Sequence, residues 1–207
     1  MKVLVFGATG QVALELQKHA GVCGLNRAFA DLSDPAACAG IIAATDADVV
    51  INAAAYTAVD AAEADEVLAM TINAEAPTQM AKSAAERGIP FLHVSTDYVF
   101  GGDGTEALEV DTPTGPINAY GRSKLAGEIG VRQAGGNHAI LRTSWVFSAH
   151  GGNFVKTMLK LGGTRDALNI VNDQIGGPTA ASDIAACLME MAAKMVTGQK
   201  GGTYHFS

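Results

Sequence analysis

The sequence predicts an α/β fold built on a doubly wound parallel sheet, and three observations carry that expectation. Short apolar runs recur along the chain, each followed by polar or glycine-containing sequence. Segments of helical composition separate them, the alternation expected of parallel strands joined by right-handed crossovers. The apolar runs are continuous, as strands buried on both faces must be.

Val3–Phe6 is the first strand, a wholly apolar run that ends at Gly7. A helix over 11–19 follows, then a weaker strand at 22–26. Further strands are expected at 49–52, 91–95, 140–143 and 169–171. Helices are expected at 35–44, 73–87, 120–132, 153–161 and 180–195. A last sheet strand would lie at residues 204–207. The stretches 101–111 and 198–202 collect turn residues and read as loops. There is no internal repeat and no low-complexity linker.

A chain of 207 residues, 48% hydrophobic and 17% charged, can bury one sizeable core. Its 14 basic and 21 acidic side chains leave a net charge of −7. Such a chain has no long-range attraction to nucleic acid or to an anionic membrane. Any phosphate-bearing ligand must be held locally, by backbone N–H groups and a few placed cations. Cys23, Cys38 and Cys187 show no metal or redox spacing and read as thiols in a reducing compartment. No signal peptide is recognisable, and no apolar run approaches the ~18 residues of a membrane span. The expectation is a cytoplasmic protein with neither nucleic acid nor membrane as a partner.

The first strand runs into Gly7-Ala8-Thr9-Gly10-Gln11-Val12-Ala13. Two glycines three apart allow a sharp turn and a close approach of backbone to ligand. The helix that opens near Gly10 aims free N–H groups at a pyrophosphate. This turn, ending the first strand, points to a Rossmann-like dinucleotide site. The second strand ends in Asn26-Arg27, where an acidic residue would suit a free ribose hydroxyl and an arginine suits a 2′-phosphate. The cofactor is therefore NADPH or NADH, with NADPH favoured. Asp31-Leu32 follows, where a carboxylate can accept from the adenine amino group.

Tyr120 and Lys124 stand four apart at the start of a helix and so share one face. Reduction of a ketone requires a proton donor beside the oxygen that gains charge. A free tyrosine, with a pKa of about 10, is a sluggish donor, and a nearby ammonium is expected to lower that value. The same ammonium can hold the nicotinamide ribose. Ser95-Thr96-Asp97 ends another strand, where a hydroxyl can reach the same crevice. Glycine turn, strand-end hydroxyl and Tyr/Lys helix, in this order, resemble the short-chain dehydrogenase/reductase superfamily.

Longer strings narrow the resemblance. Asn52-Ala-Ala-Ala-Tyr-Thr-Ala-Val-Asp60, Ser95-Thr-Asp-Tyr-Val-Phe100, Leu141-Arg-Thr-Ser-Trp-Val-Phe147 and Asn172-Asp-Gln-Ile-Gly-Gly-Pro-Thr179 resemble the dTDP-4-dehydrorhamnose reductase family, as does Asn153-Phe-Val-Lys-Thr-Met158. The resemblance implies reduction of the C4 keto group of dTDP-4-dehydro-L-rhamnose by NAD(P)H. It implies Tyr120 as proton donor, Lys124 as its electrostatic partner and Thr96 as the tuning hydroxyl. Gly10, Gln11 and Val12 would line the pyrophosphate, Asp31 and Leu32 the adenine, and Ala55, Tyr56 and Thr57 the cofactor's middle. Thr96, Asp97, Tyr120 and Trp145 would touch the nucleotide-sugar. Some relatives hold Mg²⁺ through glutamates; Glu15 matches one such position but Ser182 stands at another, so no metal is expected. At most a second copy of the chain is expected as a protein partner, in a homodimer.

The resemblance also divides the chain. Residues 1–146 would form the NAD(P)-binding domain and 147–178 the start of a small C-terminal substrate lobe. Residues 179–207 would return to the first domain as a helix and a strand, the rest of the lobe being absent from this sequence. Two competing readings share these motifs. One is another sugar-nucleotide epimerase, dehydratase or reductase. The other is a non-catalytic, NADP-binding regulatory subunit of the methionine adenosyltransferase type.

Overall fold

A computed structural model describes residues 1–207 apart from Asp103, Thr105 and Asp173. Asp103 and Thr105 of the expected 101–111 loop, and Asp173 of the 172–179 string, therefore lie outside the described residues. In chain order the elements are β1 (Val3–Phe6), α1 (Gln11–Leu16), β2 (Val22–Leu25), α2 (Pro35–Ala44), β3 (Val49–Asn52), α3 (Val59–Ala64) and α4 (Glu66–Met70). A π-turn (Thr71–Glu75) leads into α5 (Ala76–Arg87), then β4 (Phe91–Thr96), a 3₁₀ turn (Asp97–Val99) and α6 (Ala119–Gln133). The chain continues through β5 (His138–Thr143), β6 (Val146–Phe147), α7 (Phe154–Gly162), β7 (Thr179–Ala180), α8 (Ala181–Val196) and β8 (Thr203–His205).

The two-sided burial of β1 sets the layers. Val3 and Val5 enter one core with Val12 and Leu16 of α1 and Ile184 and Leu188 of α8. Leu4 and Phe6 enter a second core with Ile42 of α2, Met80 of α5 and Val131 of α6. A strand apolar on both faces needs a helix layer on each, and these helices supply it. Six parallel strands line up in the order β2-β1-β3-β4-β5-β8. The order reverses between β1 and β3, and a crevice opens beyond the strand ends at such a switch point. Among the described residues no helix is long and apolar enough to cross a membrane.

Four details depart from the sequence expectation. Residues 169–171 form no strand; Ile170 and Val171 instead stand exposed beside the crevice, and β8 takes the place next to β5. A three-residue apolar run is too short for periodicity to tell strand from loop. Helix α1 stops at Leu16 rather than residue 19. The helical course expected from residue 73 begins at Glu66 and passes through the π-turn. The short parallel pair β6–β7 and helix α3 were not foreseen.

Helix α6 sits unusually close to its neighbours. A Cβ at Gly127 would collide with the backbone carbonyl of Asn73 in the π-turn, and one at Gly130 would meet the Thr78 side chain. Asn73 is itself a clamp. Its Oδ1 accepts from Tyr56 N at 2.8 Å, and its Nδ2 donates to Tyr56 O and to Ser123 Oγ, both at 3.0 Å. One buried amide thus joins the loop after β3 to α6. Asn118 caps α6 by accepting from Gly121 N at 2.7 Å, which fixes where its first turn starts.

Gly127→Ala gains about 1 kcal/mol of helix propensity, but it forces a methyl against a backbone atom that cannot rotate away, at about 1–3 kcal/mol. The expected outcome is net destabilisation, read as a lower denaturant midpoint with an unchanged slope. A midpoint at or above that of the parent chain would show that α6 has room to spare.

Candidate active site

A cavity of about 750 Å³ opens at the strand ends. Its wall takes Gly10, Gln11 and Val12 from the start of α1, Ala55 and Thr57 from the loop after β3, and Thr96 and Asp97 from the end of β4. Tyr120 and Lys124 reach it from α6, and Trp145 from beyond β5. Elements distant in sequence meet here because parallel strands all end on the same side of the sheet.

At the glycine turn Gly7 has φ +97°, a conformation that favours glycine, and its missing side chain lets the Ala53-Ala54 backbone pack against it. Gly10 borders open space and offers α1 no side-chain cap, so the first N–H groups of that helix have no capping partner. On the same wall Thr143 Oγ1 is buried with no partner. Uncapped donors at one end and an orphaned hydroxyl at the strand ends are features that a polar, phosphate-bearing dinucleotide fits. The Gln11 side chain does other work. Its Nε2 donates to Val146 O at 3.2 Å, and its Oε1 accepts from Ser148 Oγ at 2.8 Å and Asn153 Nδ2 at 3.0 Å. That ties α1 to the segment after β6 and leaves only the backbone of Gln11 for a phosphate.

Lys124 is fully buried behind β4. Its Nζ donates to Val94 O at 2.7 Å and lies 3.4 Å from His93 Nε2. Burial pulls its pKa down to about 8, with Glu128 opposing. The Tyr120 phenol is pushed up to about 12, first by burial; the Thr96 hydroxyl draws it back in part, while Asp97 and Tyr98 add to the rise. This corrects the expectation that Lys124 lowers the phenol's pKa. Its nitrogen is turned to the Val94 carbonyl, and burial weakens the hold on the very charge that would stabilise a phenolate. Asp97 is raised by burial, and Thr96 Oγ1 donates to its Oδ1 at 3.0 Å. Tyr98, one residue on, stands edge-on to Tyr120 with ring centroids 5.4 Å apart.

Behind the wall Glu128 of α6 is bound by both Arg142 of β5, at 2.7 and 2.8 Å, and Arg132, at 2.6 Å. Burial alone would raise the Glu128 pKa, but its hydrogen bonds and charge partners outweigh that and hold it below the usual range. A buried carboxylate with its lone pairs engaged is a rigid joint between α6 and β5. No local pattern announces the Glu128–Arg142 part of this joint, since those two residues lie 14 apart on different elements.

Five expected residues lie off the cavity wall: Gly7, Arg27, Asp31, Leu32 and Tyr56. Gly7 is covered by Ala54. Leu32 belongs to the core of Leu4 and Phe6. Tyr56 is held by Asn73 and packs toward Ala62 and Ala69. Arg27 and Asp31 pair with each other at 3.0 Å in the open, past β2. Conversely, Thr143, Ser144, Ile170 and Val171 line the cavity unforeseen. The strand-end rule applied to Ser95-Thr96 would have found Thr143 and Ser144 as well.

Trp145 carries φ +47°, the left-handed region that a bulky residue enters only when its surroundings hold it there. Phe154 meets its ring edge-on at 4.9 Å, and a Cβ at Gly176 would come within 2.6 Å of the indole nitrogen. Gly176→Ala should displace the ring. Trp145 is the sole tryptophan of the chain, so its emission reports the change directly. A red-shifted emission with an unchanged unfolding midpoint is expected; an unchanged spectrum would show that the contact is slack.

The RmlD substrate binding domain model matches residues 1–207, the whole chain. The dTDP-4-dehydrorhamnose reductase of Sinorhizobium fredii is 42% identical over 214 residues, covering 100% of this chain and 72% of its own length. A crystal structure of a dTDP-4-dehydrorhamnose reductase from Clostridium acetobutylicum superposes with a TM-score of 0.92 at 36% identity, over 100% of this chain and 74% of that one. The enzyme of that name from Bacillus anthracis, solved in complex with NADP, gives 0.90 at 36% identity, over 100% and 75%. A match that spans the whole chain places this protein in the RmlD substrate binding domain family.

Proposed function

We propose that this chain is an NAD(P)H-dependent reductase that converts dTDP-4-dehydro-L-rhamnose to dTDP-L-rhamnose at the C4 keto group. The observation that carries this reading is the convergence of Tyr120, Lys124 and Thr96 on one cavity with Thr9 and Gly10 of the glycine turn. NADPH, when bound, supplies the hydride. The chain supplies the rest. Backbone N–H groups at Gly10, Gln11 and Val12 would hold the pyrophosphate, and Lys124 would hold the nicotinamide ribose. The Tyr120 hydroxyl donates a proton to the ketone oxygen, which Thr96 orients. A phenol held near 12 stays protonated at neutral pH but is a weaker acid than free tyrosine, so its transfer relies on the charge that builds on the ketone oxygen as hydride arrives. Asp97 and Trp145 contact the nucleotide-sugar.

The domain division follows the same reading: residues 1–146 hold the cofactor, 147–178 begin the substrate lobe, and 179–207 return to the sheet. The amphipathic helix α7 buries no residue, and Leu159 on it is 73% exposed. Tyr98 follows Asp97 where a dehydratase would need a second carboxylate, so one acid group stands at this strand end. That favours the reductase over the dehydratase.

The assay is NADPH oxidation with dTDP-4-dehydro-L-rhamnose. Stoichiometric consumption is expected, with Tyr120→Phe retaining cofactor affinity and losing about 10²–10⁴-fold in turnover. Cofactor held tightly and recycled would indicate an epimerase. Binding without turnover of any keto-sugar would indicate a regulatory subunit.

Cofactor preference turns on Arg27. Its exposed pair with Asp31 is worth about 0–1 kcal/mol, less than the roughly 1.5–3 kcal/mol of a charge-assisted bond to a 2′-phosphate. The phosphate should therefore win the guanidinium. Arg27→Ala should lower the NADPH-over-NADH ratio in kcat/KM by about ten- to a hundredfold; an unchanged ratio would make Arg27 plain surface.

A further inference from the structure

His93 is buried completely in the middle of β4, and no step described above uses it. It is the register partner of Asn52 across the β3–β4 ladder, so the two side chains stand side by side on adjacent strands. Asn52 Nδ2 approaches His93 Nδ1 at 3.2 Å, and on the far edge of the ring His93 Nε2 lies 3.4 Å from Lys124 Nζ. Phe91, two residues earlier on the strand, stacks on the ring at an interplanar angle of 11° and keeps it flat in this plane.

The direction of this row is fixed from its far end. The backbone N–H of Ala54 donates to Asn52 Oδ1 at 3.2 Å. A backbone N–H is a donor only, so the oxygen of the amide must face it and the NH₂ must face His93. The amide NH₂ is likewise a donor only, so Nδ1 must accept. A neutral imidazole that accepts at Nδ1 carries its proton on Nε2. That proton points at Lys124. An ammonium has three N–H groups and no lone pair, so it would face Nε2–H as donor against donor; a neutral amine has a lone pair to accept it.

We propose that His93, held in its Nε2–H tautomer by Asn52, is a positioning residue that selects the neutral amine of Lys124 and so sets the pH range over which the Tyr120–Lys124 pair works. Burial acts in the same direction on both groups: it holds the imidazole well below its ordinary 6.5, and Lys124 opposes its protonation further. The other ionisable groups near Lys124 leave the row intact. Tyr120 and Glu128 lie on its own helix, and Glu128 favours the ammonium but is engaged by Arg142 of β5 and by Arg132. Asp97 and Tyr98 lie past the end of β4, beside Tyr120. On the outer side of α6, Glu66 of α4 is taken by Arg122, with Glu63 of α3 close by. The π-turn and α5 meet α6 through Asn73 and Thr78, neither of which titrates.

The inference rests on the reductase reading for its catalytic meaning, but not for its test. The first measurement is the nitrogen spectrum of isotope-labelled histidine in the unaltered protein. The expected result is a neutral His93 with its proton on Nε2; a proton on Nδ1, or a charged ring, overturns the proposal. The second is the titration of isotope-labelled Lys124. It should have a midpoint near 8 in the parent chain and move up by about one unit or more in His93→Gln, whose amide oxygen can turn to accept from an ammonium. Asn52→Asp tests polarity and not bulk: a carboxylate demands a proton on Nδ1, which leaves Nε2 to accept from the ammonium, and it should raise the same midpoint. An unchanged Lys124 midpoint in a folded His93→Gln protein overturns the proposal, and if neither variant folds the tautomer in the parent protein decides. In the reductase assay the alkaline limb of kcat/KM should follow the Lys124 midpoint upward in His93→Gln. If no keto-sugar is turned over, the reductase reading fails while both spectra still decide the tautomer.

Discussion

The closeness of helix α6 to the sheet and to the π-turn is the constraint on which the site depends. Gly127 and Gly130 remove the side chains that would hold α6 away from Asn73 and Thr78. Only at that distance does a four-carbon lysine stem reach through to the Val94 carbonyl on β4. Glu128, one turn further along, closes on Arg142 of β5 and stops the helix from sliding along the sheet. Tyr120 and Lys124 are one turn apart by helix geometry, but their placement over the strand ends is a packing result.

Burial is also what sets the chemistry of the pair. In water a lysine near 10.5 and a tyrosine near 10 would differ little in proton affinity. Here desolvation separates them in opposite directions, because it penalises the charged form of each: the amine falls to about 8 and the phenol rises to about 12. A phenol that keeps its proton beside an amine that gives it up readily is an asymmetric pair. Such separation of proton affinities by environment is how neighbouring groups acquire different roles in acid–base chemistry.

The rest of the cavity is organised by short side chains that fasten one segment to another. Asn73 joins the 55–57 backbone to α6, and Gln11 joins α1 to the segment after β6. His150 reaches Glu15 of α1 at 3.1 Å and strengthens the second seam. The two amides satisfy buried or half-buried polar backbone, which the interior requires in any case, and the imidazole meets a carboxylate. The same bonds determine where the glycine turn stands relative to Trp145. Satisfaction of polar groups and alignment of the cavity are one arrangement.

The sequence by itself determined the alternation of strand and helix, the glycine turn after β1, and the Tyr120–Lys124 and Thr96 positions, because these depend on local periodicity and on which residues end a strand. Where the signal was only three residues long, as at 169–171, it could not separate a strand from an exposed apolar wall. Nor could spacing show that Arg27 would pair with Asp31, that Leu32 would turn into the core, or that the Gln11 side chain would bind Val146, Ser148 and Asn153. Tertiary structure alone decided the proton affinities, the Glu128–Arg142 joint and the register that sets Asn52 beside His93. Those properties depend on desolvation and on contacts between residues far apart in the chain, and neither has a local pattern for a sequence to display.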